Sequence, residues 1–312
     1  VIVVDQLTKS YGDKVVVDHL SFTVRPGVVT GFLGPNGSGK STTMRMILGL
    51  DAPTSGTVTV AGRAYVDAPV PMRTVGALLD AKAVHGGRTA RNHLLWLAHS
   101  NGIPARRVDE VLADVGLKGA AHRRAGTFSL GMSQRLGIAA ALLGDPEVLM
   151  LDEPVNGLDP EGILWIRTLM RRLAAEGRTV LLSSHLMSEM ALTADHLIVI
   201  GRGRLIADTG IEDFVRTQSD SSVLVHTAEA GDGERLAGPL RAAGAEVAVE
   251  EAGGDGDRLV VTDLTGAQIG RIAVAEGIPL AELSPRHTSL EEAYLRMTRD
   301  SVEYSVHGEG GA

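Results

Sequence analysis

Gly34-Pro35-Asn36-Gly37-Ser38-Gly39-Lys40-Ser41 fits the spacing G-x-x-x-x-G-K-[ST], whose chemistry is the cradling of phosphate groups. Glycines at these positions let backbone N–H groups turn inward around phosphate oxygens, and a helix N-terminus behind them adds positive potential. Lys40 is then placed to reach β and γ phosphates and the Ser41 hydroxyl to face Mg²⁺, with Asn36, Gly37, Ser38, Gly39 and Thr42 completing the candidate contacts. An ordinary Gly-rich turn is the alternative, and the context argues against it: the apolar run Val28 to Leu33 precedes the loop and a helical pattern follows. A second constellation is Val148-Leu149-Met150-Leu151-Asp152-Glu153, an apolar strand ending in two carboxylates. At the carboxyl edge of a sheet beside a phosphate loop, Asp152 is suited to hold Mg²⁺ and Glu153 to polarise the water that attacks a γ-phosphate.

Between these two motifs lies Phe128-Ser129-Leu130-Gly131-Met132-Ser133-Gln134-Arg135, which resembles the signature of the ATP-binding cassette (ABC) family. Further matches follow the family's order: Tyr11 at the adenine-stacking position, Asn156-Gly157-Leu158-Asp159 at the D-loop and His185 in Ser183-Ser184-His185-Leu186 at the switch position. The resemblance covers roughly Val1 to Ile211. It implies that two cassettes close head to tail around two ATP molecules, each ATP held between one phosphate loop and the other copy's Ser129 and Gly131. It further implies that His185 contacts the γ-phosphate, that Tyr11 stacks on adenine and that Asp159 belongs to the nucleotide site. There are departures. Leu130 and Met132 stand where the family often has Gly and Gln, and Asp80 stands where it usually has a Gln near Mg²⁺ and the transmembrane interface. A carboxylate there can bind Mg²⁺ or its water while adding charge near Asp152 and Glu153; a solvated loop acid is the other reading. His93 and His99 lack the i, i+4 spacing of a helical zinc pair, and Met44 and Met46 read as core.

Positioning these groups requires an α/β scaffold. Val1 to Val4, Val15 to Val17, Phe22 to Val24 and Val28 to Leu33 read as short strands, and a helix after Gly39 ends at Gly49. From about 85 to 143 the pattern is mainly helical, with breaks at Gly102 to Pro104 and Gly126 to Gly131. Val148 to Leu151, Thr179 to Ser183 and Leu197 to Ile200 then read as parallel strands, with a helix from Gly162 to Glu176 between the first two. The fold class expected is therefore an α/β phosphate-loop cassette, a mixed sheet core plus a helical subdomain, over 1–215. Beyond about Arg216 the composition shifts to Ala, Gly, Glu and Asp. There the order is strand (Ser222 to His226), helix (Glu234 to Ala243), strand (Glu246 to Glu250), strand (Arg258 to Val261), helix (Thr265 to Glu276) and strand (Pro279 to Leu283). That predicts a small α+β, ferredoxin-like accessory domain over 216–312, with a last helix from Ser289 to Arg299 and a Gly-rich, disordered tail from His307.

Composition narrows the function classes. A net charge of −8 and the lack of a basic stripe argue against nucleic acid as partner. Zero cysteines exclude disulfides and thiolate metal sites. The longest apolar stretch, Leu136 to Leu151, is cut by Asp145, Pro146 and Glu147, so no transmembrane helix is expected, and Asp5 and Lys9 interrupt any secretory-signal pattern. The reading is an ATPase using ATP and Mg²⁺, a homodimer of cassettes when ATP is bound, peripheral on the cytoplasmic face of the membrane and driving a separate transmembrane permease. The appended domain and Ser289-Leu290-Glu291-Glu292-Ala293-Tyr294 resemble the drug and antibiotic exporter branch. The competing class is a soluble regulatory or nucleic-acid-associated cassette ATPase, which usually carries two cassettes or long coiled coils. A non-hydrolysing binding module would lack the acid at Glu153.

Overall fold

The computed structural model of the protein describes residues 1–81, 83–184, 187–218, 222–250, 256–286, 290–292 and 294. Packing divides the chain into two compact units, the first ending at Ile211 and the second beginning at Glu212.

In the first unit, β1 (Ile2–Tyr11) and β2 (Lys14–Val24) form an antiparallel hairpin turning at Gly12, which has φ +57°. The two short strands expected at Val15 to Val17 and Phe22 to Val24 are one strand, and the reason is a bulge. Lys9 pairs with Val17 and Leu7 with Leu20, so β2 carries one residue more than β1 across that interval. His19, at φ +49°, absorbs it and returns Leu20, Phe22 and Val24 to the buried face. β1 likewise runs past Val4 and delivers Tyr11 to the hairpin tip.

After β3 (Val29–Leu33) come α1 (Lys40–Ile47), β4 (Ser55–Val60), the short α2 (Pro71–Thr74) and β5 (Val75–Leu78). β4 pairs with β1, giving a three-stranded sheet β2-β1-β4. Gly49, at φ +64°, ends α1 with its N–H on the Met46 carbonyl at 3.0 Å. The helical stretch is α3 (Ala90–Ser100), α4 (Arg106–Asp114) and α5 (Leu130–Leu142). There follow β6 (Val148–Leu151), α6 (Pro160–Ala175), β7 (Thr179–Ser183), α7 (Met187–Thr193), β8 (His196–Gly201) and β9 (Arg204–Gly210), and α8 (Ile211–Gln218) starts at the boundary and runs into the second unit. The second sheet has the order β5-β6-β7-β3-β8-β9, parallel except for the edge strand β9. The parallel strands are buried along their length, as sheets covered on both faces require. Phe22 and Phe32, with ring centroids 5.5 Å apart, join the two sheets within a core that includes Met44, Met46, Ile47, Met150 and Leu181. Among the described residues no helix is long and apolar enough to cross a membrane.

The second unit is β10 (Ser222–Thr227), α9 (Asp232–Ala242), β11 (Val247–Glu250), β12 (Arg258–Thr262), α10 (Gly266–Ala275) and β13 (Leu280–Arg286). Its sheet is antiparallel in the order β11-β12-β10-β13, so the expected βαββαβ unit has the split arrangement in which the first strand lies inside the sheet. Val223, Val225, Leu259 and Val261 alternate inward against Leu236, Leu240 and Ile269. Thr265 opens α10 with a capping box closed by Gln268. The expected final helix lies outside the described residues except for 290–292 and 294, and the tail from His307 lies outside them altogether.

Candidate active site

β3 ends at the phosphate-loop sequence and α1 begins at Lys40, the strand-loop-helix arrangement that turns backbone N–H groups toward an anion. Gly39 is the N-cap at φ +102°, and a Cβ there would sit 2.8 Å from the Val16 carbonyl, so conformation and space both demand glycine. The loop is anchored from outside: Gly203, in the turn between β8 and β9, donates to the Ser38 carbonyl at 3.0 Å. Ser38 Oγ is buried and without a hydrogen-bond partner among the described residues, and Asn36 and Gly37 are exposed. Such a cradle fits an anionic oxygen. Lys40 is only 8% exposed, with Nζ 2.5 Å from the Gly34 carbonyl and 3.2 Å from that of Pro35. Burial pushes its ammonium below the usual lysine range, opposed by the Glu153 and Asp152 carboxylates. A bound phosphate would oppose that depression in the same way.

Because β6 lies between β5 and β7, Asp152 emerges at the carboxyl edge of the parallel strands. Its N–H donates to the Leu78 carbonyl at 2.7 Å, and its carboxylate accepts from Ser41 Oγ at 3.0 Å and, closely, from Ser183 Oγ at the end of β7. Ser41 on α1 and Asp152 directly after β6 are thus joined across 111 residues of sequence. Glu153 follows at φ +50°, a left-handed conformation uncommon for a non-glycine residue. Two side chains hold its backbone there: Ser183 Oγ accepts from its N–H at 3.0 Å, and Gln134 Nε2 donates to its carbonyl at 2.8 Å. Sequence reasoning missed both. Ser183 carries a signal, a hydroxyl ending a buried apolar strand at the same edge as Asp152. Gln134 carries another, a lone amide among the buried residues of α5, itself 4% exposed.

Leu78 of β5 lies opposite Leu151 of β6, so Asp80 and Asp152 leave the same edge of the sheet; Asp80 is exposed and its carbonyl accepts from Ala83 N–H at 3.2 Å. Ser129 is the N-cap of α5, its hydroxyl accepting from Met132 N–H at 3.2 Å. Leu130, 47% exposed, reaches over Gly157, and a Cβ on Gly131 would meet the Gly157 carbonyl at 2.8 Å, so the signature and D-loop segments of one chain are packed together. Asp159 is the N-cap of α6, accepting from Gly162 N–H at 2.9 Å. That engages its carboxylate within the chain. Tyr11 stands 51% exposed at the hairpin tip. His185 lies outside the described residues. The structure therefore brings together Lys40, Ser41, Asp152 and Glu153; among the described residues it shows no hydrogen bond from Ser129, Gly131 or Tyr11 to the phosphate loop.

No group of three His, Cys, Asp or Glu side chains among the described residues could hold a metal ion by itself. A hydroxyl and a carboxylate 3.0 Å apart, Ser41 and Asp152, do suit a hard cation that completes its shell with water and phosphate oxygens.

Residues 17–156 match the family model described as ABC transporter, and residues 221–291 match a domain of unknown function, DUF8746. The chain is 45% identical over 205 residues to the bacitracin transport ATP-binding protein BcrA of Bacillus licheniformis, covering 65% of this chain and 67% of that one. It is 34% identical over 297 residues to the uncharacterized ABC transporter ATP-binding protein YcbN of Bacillus subtilis (strain 168), covering 93% and 94%, so the likeness extends through the second unit. Among solved structures, an ATP-binding subunit of an ABC transporter superposes with a TM-score of 0.64 at 28% identity, covering 69% of this chain and 92% of that one. With a phosphate loop, a hydroxyl–carboxylate pair and a following glutamate at one sheet edge, and relatives of this identity and coverage, the chain belongs to the ABC transporter ATP-binding proteins, the ATP-hydrolysing subunits of that family.

Proposed function

We propose that two copies of the chain close around two ATP molecules, that hydrolysis reopens them, and that the cycle drives a separate transmembrane permease exporting a drug, antibiotic or similar compound. The observation that supports the catalytic part is the Ser41–Asp152 hydrogen bond at the start of α1 with Glu153 held next to it, groups of the kinds that a metal ion and a proton transfer need. Lys40 and the loop N–H groups bind the phosphates. Ser41 and Asp152 would hold Mg²⁺, whose chemistry is to neutralise charge on the β and γ phosphate oxygens. Glu153 accepts a proton from water as its oxygen bonds to the γ-phosphorus and the bond from that phosphorus to the bridging oxygen breaks. Asp80 is a further candidate near the metal, and His185 a candidate contact to the γ-phosphate.

Ser129 and Gly131 at the start of α5 would meet the other copy's γ-phosphate. Support comes from their position at an exposed helix N-terminus and from the apolar Leu130 displayed with them. Export of an antibiotic rests on the likeness to a protein named for bacitracin transport. Assembly on the cytoplasmic face of the membrane follows from that reading. Co-purification with the chain encoded beside it, followed by ATPase assay of the complex, tests the proposal. A neighbouring product with about six apolar helices that stimulates turnover is the expected result. Full activity with no membrane partner, combined with binding to nucleic acid, would favour the soluble regulatory class.

A further inference from the structure

Tyr11 is held by more than its strand. Its hydroxyl donates to Asp51 Oδ2 at 3.3 Å, and Arg45 grips the same carboxylate twice, Nε to Oδ2 at 2.7 Å and Nη2 to Oδ1 at 3.1 Å. Arg45 lies in α1, the helix that starts at Lys40. One face of the ring is taken by Lys9 Nζ, 4.9 Å from the centroid, and that ammonium is itself fixed on the Ala52 carbonyl at 2.6 Å. The segment from Asp51 to Thr54 is stitched along the end of β1: Ser10 N–H donates to Thr54 Oγ1 at 3.0 Å, and Thr54 N–H to the Thr8 carbonyl at 2.8 Å. A tyrosine that merely capped a core would be buried; this one is half exposed, with its hydroxyl tethered and one face covered.

We infer that Asp51 and Arg45 are positioning residues that set the Tyr11 ring as the platform for the nucleotide base, tying base recognition to the helix that carries the phosphate loop. The inference rests on the reading of Tyr11 as the base-stacking residue. The guanidinium also holds the Asp51 carboxyl below the usual carboxylate range, keeping it the acceptor the phenol needs. An aromatic ring left free to rotate presents its face for only part of the time, so loss of the tether costs affinity for the base and not for the phosphates.

The test compares ATP with inorganic tripolyphosphate, which has no base, each with Mg²⁺, by calorimetry on the full chain. Tyr11→Ala should weaken ATP about tenfold or more, given the size of base–aromatic stacking. Asp51→Ala and Arg45→Ala should each weaken ATP about three- to tenfold, as expected for one lost hydrogen bond. Tripolyphosphate affinity should stay at the wild-type value in all three. KM for ATP should rise by the same factor while kcat moves far less, and Asp51→Glu should recover part of the loss. Equal weakening of both ligands by Asp51→Ala would make the residue a structural support of α1 and overturn the inference. So would an unchanged ATP affinity in Asp51→Ala when Tyr11→Ala has lost it. If Tyr11→Ala itself keeps the wild-type preference for ATP over tripolyphosphate, the stacking reading fails first and the inference with it.

Discussion

Replacing Glu153 by Gln tests the proton-accepting step, because two side chains hold this residue by its backbone, which the exchange leaves in place. Ser183 Oγ takes the N–H and Gln134 Nε2 the carbonyl, so the left-handed turn at φ +50° should survive the exchange with the side chain unchanged in length. What is lost is basicity. A positioned general base contributes about 10²- to 10⁴-fold, equivalent to about 3 to 5 kcal/mol of barrier at about 1.4 kcal/mol per decade. ATP affinity should hold, since Lys40, Ser41 and Asp152 are untouched and one negative charge near the phosphates has gone. Single-turnover phosphate release gives the rate, equilibrium binding gives the affinity, and size-exclusion chromatography with ATP and Mg²⁺ should show a dimer accumulating. A Glu153→Gln chain that hydrolyses ATP at the wild-type rate would refute the assignment. One that fails to bind ATP would refute the argument that the exchange leaves the phosphate-binding groups intact.

Four further outcomes follow from the same geometry. Lys40→Ala should abolish the rise in Tm that ATP gives the wild type, because stabilisation by a ligand falls with its affinity. Ser183→Ala removes the acceptor for Glu153 N–H and a donor to Asp152; these bonds are half-buried, so the loss should cost about 1 kcal/mol, readable in chemical denaturation, and kcat should fall with it. Asp80→Asn should shift the Mg²⁺ dependence of hydrolysis by a modest factor if the acid holds metal or its water; an unchanged Mg²⁺ curve with lost stimulation by the proposed permease would assign it to coupling instead. A chain ending at Ile211 should fold by circular dichroism and bind ATP, since the phosphate loop, both acids and the Tyr11 platform lie before that point; a folded truncation that cannot bind ATP would refute this division of roles.

Local signals carried much of this in the sequence. The phosphate loop was legible because its glycines answer a backbone need, and the βαββαβ unit because each of its elements shows its own periodicity and turn residues. The bulge at His19 was not, since a three-residue step from Val17 to Leu20 looks like the end of one strand and the start of another until β1 supplies the partner. Ser183, Gln134 and Asp51 act through pairings between distant segments, as in the bond from Tyr11 to Asp51, and Arg45 joins that set only through its local grip on Asp51 across the end of α1. Asp159 was legible in a second way, since an Asp before a Pro-initiated helix is the N-cap of α6 that the structure shows.

The carbonyl bonds of Lys40 bear on how the energy of nucleotide binding divides between heat and order. An ammonium has three donors, and two already point at the Gly34 and Pro35 carbonyls. Phosphate oxygens arriving at this side chain can take the third at once, but any further bond must replace one the loop already makes. Calorimetry should therefore register less heat than the bonds in the complex would suggest. The favourable part should lie instead in water released from the phosphates and in a loop that was ordered beforehand, and it should be largest where the entering ligand brings its own metal ion.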